Sequence, residues 1–367
     1  MTDTRVLITG GAGFIGCNLA SRLILQGCRV TILDNLSRPG CEANIRWLRD
    51  THGSKSFRLV QASLSNREAL AYAVRGAERI YHLAGQVAVT KSLENPRADF
   101  EANALGTFNV LEAARCYARE AILIYASTNK VYGGMENTEV VEEETRYRYA
   151  NLPLGVPETQ PIDFHSPYGC SKGAGDQYTR DYHRIYGLRS VVVRQSCIYG
   201  YRQVGVEDQG WMAWFTAAAM KGLPIHICGN GKQVRDALFI EDLLDAYELI
   251  IGNIDRTAGQ IYNIGGGPAN SISVWTEFGS LLAERAGRKV EVTFGGQRPG
   301  DQLIYIGDIR KAMDHFGWRP RVSVVEGSAL LYDWVSKNHN LFDFLLKGRG
   351  KRTDVESTAH RVQSATA

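Results

Sequence analysis

Val6-Leu7-Ile8-Thr9-Gly10-Gly11-Ala12-Gly13-Phe14-Ile15-Gly16 is the stretch that decides the fold. A short apolar run, a set of glycines, then Ile15, Leu19, Leu23 and Ile24 at helical spacing predict a buried parallel strand, a tight turn and a helix to about Gln26. Gly11, Gly13 and Gly16 form G-x-G-x-x-G, the pattern of a loop that cradles the phosphates of a dinucleotide. The early glycines permit the turn and a close approach of backbone to pyrophosphate. The last lets the helix pack on the strand, with its N-terminus toward the phosphates. Gly10, Gly13, Phe14, Ile15 and Gly16 are therefore expected to hold the cofactor.

Moving outward, Arg29 to Leu33 predicts a second strand, and Asp34 ends it 18 residues after Gly16. A carboxylate there accepts hydrogen bonds from ribose hydroxyls and repels a 2′-phosphate, which favours NAD over NADP. Asn35, Ser37 and Arg38 share that turn and are counted with the cofactor, although the charge of Arg38 works against the NAD preference. Phe57–Val60 and Arg79–Leu83 predict strands three and four. Ala84-Gly85-Gln86 then gives a small-residue turn where a dinucleotide can pass, so Leu83, Ala84 and Gln86 are added. Asn103 to Tyr117 has the periodicity of an amphipathic helix. Ala121 to Thr128 predicts a strand ending in hydroxyls, and Ser190 to Arg194 another. Strands and helices alternating at this spacing predict an α/β fold with a doubly wound parallel sheet of the Rossmann type.

Residues 133 to 166 break the rhythm and read either as a lid or as a plain exposed loop. Past Arg194, an apolar helix over Trp211–Met220, a polar turn over Gly229–Asp236 and glycine- and proline-rich punctuation predict a smaller α/β lobe over the carboxyl ends of the strands. The expected division is 1–193 with 236–264 for the dinucleotide, 194–235 with 265–346 for the substrate, and a disordered tail at 347–367.

The composition narrows the class. Of 367 residues 44% are hydrophobic and 22% charged, and a net charge of +3 does not argue for nucleic acid. No run reaches the apolar length of a membrane helix, and no secretory leader is read at the N-terminus. Seven scattered cysteines without a C-x-x-C suggest neither a zinc site nor a disulfide framework, and no metal is expected. These features lead us to expect a cytoplasmic protein with no nucleic-acid or membrane partner.

Tyr168-Gly169-Cys170-Ser171-Lys172 places a tyrosine and a lysine one turn apart on a helix face running to about Tyr186. An ammonium beside a phenol lowers its pKa, and a tyrosine so tuned can take a proton from a hydroxyl while hydride leaves the same carbon. Such pairs also occur on solvated helices, so the rest of the chain has to decide.

Together the motifs resemble the extended short-chain dehydrogenase/reductases, in the branch of nucleotide-sugar epimerases and dehydratases, over about residues 4 to 340. The resemblance rests on the glycine loop, Asp34, His82-Leu83-Ala84, Asn103 with Gly106-Thr107, Ser127-Thr128 before Val131-Tyr132-Gly133, Tyr168 with Lys172, and Arg235-Asp236. It implies that Tyr168 is the acid/base, that Lys172 tunes it and holds the nicotinamide ribose, and that Thr128 bonds the reacting hydroxyl. It adds Asn103, Ser63 and Leu64 to the NAD contacts. It also makes Gln86, Thr128, Asn129, Lys130, Gln195, Ser196, Gln209, Arg235 and Arg298 the expected nucleotide-sugar contacts, the two arginines suiting a diphosphate with their forked donors. Two departures stand out: Gln61-Ala62-Ser63 replaces a Gly-Asp pair expected at adenine, and Cys197 replaces an asparagine.

Within the branch, the runs at 82–88, 127–133, 163–172 and 208–211 resemble epimerases of CDP-linked 6-deoxyhexoses that invert sugar carbon 2. The same analogy implies a homo-oligomer, tetramer or dimer. A dehydratase needs an acid and a base, usually Asp-Glu after the threonine; Asn129-Lys130 stands there instead. A 4-epimerase or ketoreductase on the same fold, and a non-catalytic NAD-binding regulator, remain as alternatives.

Overall fold

The computed structural model describes residues 3–207, 209–297 and 301–347. The expected tail, apart from Lys347, lies outside them.

Seven parallel strands form the main sheet: β1 (Arg5–Thr9), β2 (Arg29–Asp34), β3 (Phe57–Gln61), β4 (Arg79–His82), β5 (Ile122–Thr128), β6 (Arg189–Gln195) and β7 (Ile261–Ile264). Their spatial order is β7-β6-β5-β4-β1-β2-β3. The chain begins in the middle, builds outward to β3, then returns to the other side of β1 at β4. The crevice at that reversal is where such sheets bind ligands.

The period of two along each strand feeds two cores. Val6 and Ile8 of β1 pack on one face with Leu19 and Leu23 of α1 (Phe14–Leu25). Leu7 packs on the other, with Leu70, Val110 and Leu123. Strands buried on both faces read as continuous apolar runs, which is why β1, β5 and β6 were legible without alternation.

Beyond β6 the chain enters a second sheet of Cys197–Tyr199, Val234–Phe239, Ser271–Ser273 and Ile304–Tyr305. Val234-Arg235-Asp236 therefore belong to a strand, not to the polar turn expected over 229–236. That turn contracts because Val234, Ala237 and Phe239 are buried and need cover. The strand spans residues on either side of the 235/236 boundary drawn from sequence.

The 133–166 excursion is not a plain exposed loop. It carries a short antiparallel hairpin, Val140–Glu142 with Tyr147–Tyr149. Tyr149 is buried and donates its hydroxyl to the Ile304 carbonyl at 2.7 Å. Arg146 pairs with Glu277 at 2.6 Å, and Val156 bridges Gly307. Three-residue strands are too short to show a period, so this anchoring leaves no mark in the sequence.

Candidate active site

A cavity of about 400 Å³ opens over the carboxyl ends of the strands, between the glycine loop and the second sheet. Its cofactor side is built mostly of backbone. Gly10 has φ +71°, and a Cβ there would stand 2.6 Å from the Ala84 nitrogen, so β1 and β4 approach as they do only because this residue is glycine. At Gly16 a Cβ would lie 2.4 Å from the Gly10 carbonyl oxygen. Gly13, Phe14, Ile15 and Gly16 line the cavity, and the helix start at Gly13 has no side-chain cap. Uncapped first-turn amides facing a cavity suit a pyrophosphate.

Asp34 is buried and occupied with the loop itself. Its Oδ2 accepts the Ala12 N–H at 3.0 Å and its Oδ1 the Leu36 N–H at 2.8 Å. Burial raises its pKa, and these two bonds and Arg38 oppose the rise. Arg38 and Leu83 line the cavity. Ala84 seats against Gly10, and Asn35, Ser37 and Ser63 are exposed at the ends of β2 and β3. The Leu64 side chain packs in the core. Gln86 and Asn103 turn inward to each other and to Asp99: Gln86 Nε2 donates to Asp99 Oδ1 at 2.8 Å, and Asn103 Nδ2 to the Gln86 carbonyl at 3.0 Å. Asn103 sits in a wide π turn, Glu101–Leu105, with its Oδ1 buried and unpartnered. The uncapped helix start, the bare glycine loop and this spare acceptor fit a dinucleotide.

Thr128 closes β5, and Tyr168 and Lys172 stand in the first turns of the Ser166–Tyr186 helix; all three are buried at the cavity wall. Thr128 is the polar side chain facing the Tyr168 hydroxyl. Burial pushes the Tyr168 phenol up to about 12, against the opposing pull of Thr128 and the Arg38 charge. The Arg38 charge thus acts on Tyr168 in the lowering direction. The ammonium of Lys172 is drawn to β5, donating to the Ala126 carbonyl at 2.5 Å and lying 4.3 Å from the Tyr125 ring centroid. Burial brings the Lys172 pKa down to about 7.

Beneath these groups lies a pair that the sequence reading missed. Asp176 accepts from Arg194 at 2.9 and 3.0 Å and from the Ser127 hydroxyl at 2.7 Å, tying β5, β6 and the helix together. Asp176 follows Tyr168 and Lys172 at the same spacing of four, and that one-face series was the available signal.

The substrate side is built from side chains. Asn129, Lys130, Gln195, Ser196, Gln209 and Arg235 all line the cavity. Gln195 donates to the Tyr247 hydroxyl and Ser196 to Asp236. Burial pushes Asp236 up to about 7, and its carboxylate also accepts the Gly267 and Gly307 amides at 3.2 Å each. Arg298 lies outside the described residues. The far end is aromatic, with Trp211, Trp214 and Phe215 at helical spacing, and Cys197 accepts the Trp211 indole N–H at 3.0 Å. These three rings were read only as a helix; two tryptophans on one apolar turn were the cue. Among the described residues no cluster of ligating side chains could hold a metal, and no helix is long and apolar enough to cross a membrane.

Comparison with known proteins agrees with this geometry. The family model described as GDP-mannose 4,6 dehydratase matches residues 7–330. The chain belongs to the NAD-dependent epimerase/dehydratase family. It is 43% identical to CDP-paratose 2-epimerase of Salmonella typhi, over 90% of this chain and 99% of that one. It is 29% identical to dTDP-glucose 4,6-dehydratase of Xanthomonas campestris, over 93% and 96%. Among solved structures, UDP-glucose 4-epimerase of Thermus thermophilus in complex with NAD is 32% identical with a TM-score of 0.74, covering 91% of this chain and 99% of that one. This family member is thus an enzyme whose cofactor is NAD and whose substrate is a nucleotide sugar.

Proposed function

We propose that the protein inverts carbon 2 of a CDP-linked 6-deoxyhexose, converting CDP-paratose to CDP-tyvelose. The observation that carries this reading is the 43% identity with CDP-paratose 2-epimerase across nearly the whole of both chains. The relatives at about 30% include 4-epimerases and dehydratases. Against a dehydratase stands Asn129-Lys130 at the place of its acid/base pair.

A carbinol carbon without a neighbouring carbonyl has no acidic hydrogen, so its inversion calls for transient oxidation. When bound, NAD supplies the reversible hydride acceptor. Gly10, Gly13, Phe14, Ile15 and Gly16 would hold its pyrophosphate, Asp34 a ribose, and Leu83 and Lys172 the nicotinamide side. Tyr168 is assigned the proton transfer at its hydroxyl oxygen, with Thr128 bonding the same sugar oxygen. The Lys172 ammonium one turn away, Thr128 and the Arg38 charge favour the phenolate that burial opposes. After oxidation the planar ketone turns and presents its other face, and Tyr168 returns the proton. Arg235 and Arg298 are assigned to the diphosphate, and the Trp211–Trp214–Phe215 end to the base. A cytoplasmic homo-oligomer, dimer or tetramer, remains part of the proposal.

Deuterium at carbon 2 of CDP-paratose tests it, because hydride held within the site does not exchange with water. Full retention at carbon 2 of the product is expected. Loss of label to solvent overturns the mechanism, and movement of a carbon 4 label with carbon 2 unchanged makes the protein a 4-epimerase.

A further inference from the structure

Lys130 stands two residues beyond Thr128, in the tight turn Asn129–Tyr132 that leaves β5. Its ammonium lies 3.3 Å from Gln302 Oε1 and 3.6 Å from Asp301 Oδ1. Arg235 donates to that same Asp301 oxygen at 2.6 Å and to the Gln302 carbonyl at 2.8 Å. Lys130, Arg235 and Asp301 line the cavity together with Thr128 and Tyr168. Two cations thus converge on one carboxylate oxygen next to the acid/base hydroxyls.

This lysine is held in place. Its side chain is only 18% exposed. Gln302, fully buried, accepts from Asn129 Nδ2 at 3.2 Å and donates to the Gly133 carbonyl at 2.5 Å, bracing the turn from both sides. Burial and the Arg235 charge bring the Lys130 pKa down to about 8, against the pull of Asp301.

The chemistry of the substrate gives such a cation a use. Carbon 2 is bonded to the carbon that carries the diphosphate, whereas carbon 4 lies across the ring. Bringing carbon 2 to Tyr168 therefore carries the sugar-bearing phosphate to the catalytic end of the cavity. Chemistry at carbon 4 leaves that phosphate a ring's width away.

We propose that Lys130, with Arg235, grips the sugar-bearing phosphate beside Thr128 and thereby sets carbon 2 rather than carbon 4 at Tyr168. This rests on the carbon 2 reading above and names the residue that selects the position.

The test uses the full-length enzyme with its cofactor, in wild-type, Lys130→Met, Lys130→Gln and Lys130→Arg forms. CDP binding, carbon 2 turnover and Tm are measured. A charge-assisted phosphate contact of this kind predicts that removing the charge weakens CDP binding about 10-fold and lowers kcat/KM about 10²-fold. Tm should stay near the wild-type value, and arginine should restore most of both losses. Lys130→Gln keeps a polar partner for Gln302 and reads the charge alone if the methionine variant does not fold. Wild-type binding and turnover in the charge-deleted variants overturn the inference, as does an arginine variant as impaired as methionine, which marks a mere brace. A wild type that leaves carbon 2 of CDP-paratose untouched overturns the parent reading instead.

Discussion

The two ends of the cavity are built by different means. The cofactor end is backbone: glycines that let strands approach, uncapped amides of α1, and one carboxylate, Asp34, that captures the loop through Ala12. The substrate end is side chain: Lys130, Arg235, Asp301 and Gln302 brace one another across about 170 residues of sequence, and Trp211, Trp214 and Phe215 close it. A backbone site can persist while side chains change around it, because amides and carbonyls do not vary with sequence. A side-chain site can be rewritten residue by residue while the sheet stays the same.

The floor under both ends is the buried Arg194–Asp176 pair, with the side chains 3% and 1% exposed. Asp176→Ala strands a buried guanidinium and should cost about 3–5 kcal/mol in urea unfolding, the usual cost of breaking such a pair. NAD content and sugar-nucleotide binding should fall together; damage confined to one end would show that the two are not built on one floor.

Tyr168→Phe should separate chemistry from binding. Turnover is expected to drop at least about 10²-fold, the low end for a general acid/base, while NAD and CDP both bind as before. Activity above half of wild type would remove Tyr168 from the mechanism.

Asp34→Ala addresses the cofactor end alone. It leaves the Ala12 and Leu36 amides without their acceptor, at a cost of about 1–3 kcal/mol per buried amide that stays unpaired. The purified variant should carry less NAD and still bind CDP with unchanged affinity in calorimetry.

The last test is a pH slope. His82 sits under the cofactor end, bonded to Thr9 at 2.8 Å and Thr107 at 3.0 Å, and burial with the Lys172 charge lowers its pKa to about 3. A folded pKa below the unfolded value of about 6.5 means that the unfolded state takes the proton first. This contribution is complete above about pH 6.5 and is lost as pH falls toward 3, at up to about 1.4 kcal/mol per pH unit. His82→Gln should flatten that slope in denaturant titrations from pH 7 to 4; an unchanged slope would mean that His82 does not carry it.

What the sequence determined by itself is the periodic and the contiguous. The apolar runs of β1, β5 and β6 and the glycine loop declare the sheet and its crevice, because burial on both faces demands unbroken hydrophobes and a close backbone approach demands glycine. The Tyr168–Lys172 spacing was legible for the same local reason. Only the tertiary structure decided where the charges act. It turned Lys172 to Ala126, put Asp176 beneath the site and joined Lys130 to Gln302. It also pinned the 133–166 excursion through Tyr149 and Arg146. Electrostatic and hydrogen-bond partners are chosen by proximity in space, and residues far apart in the chain carry no periodic mark of the partner that folding brings to them.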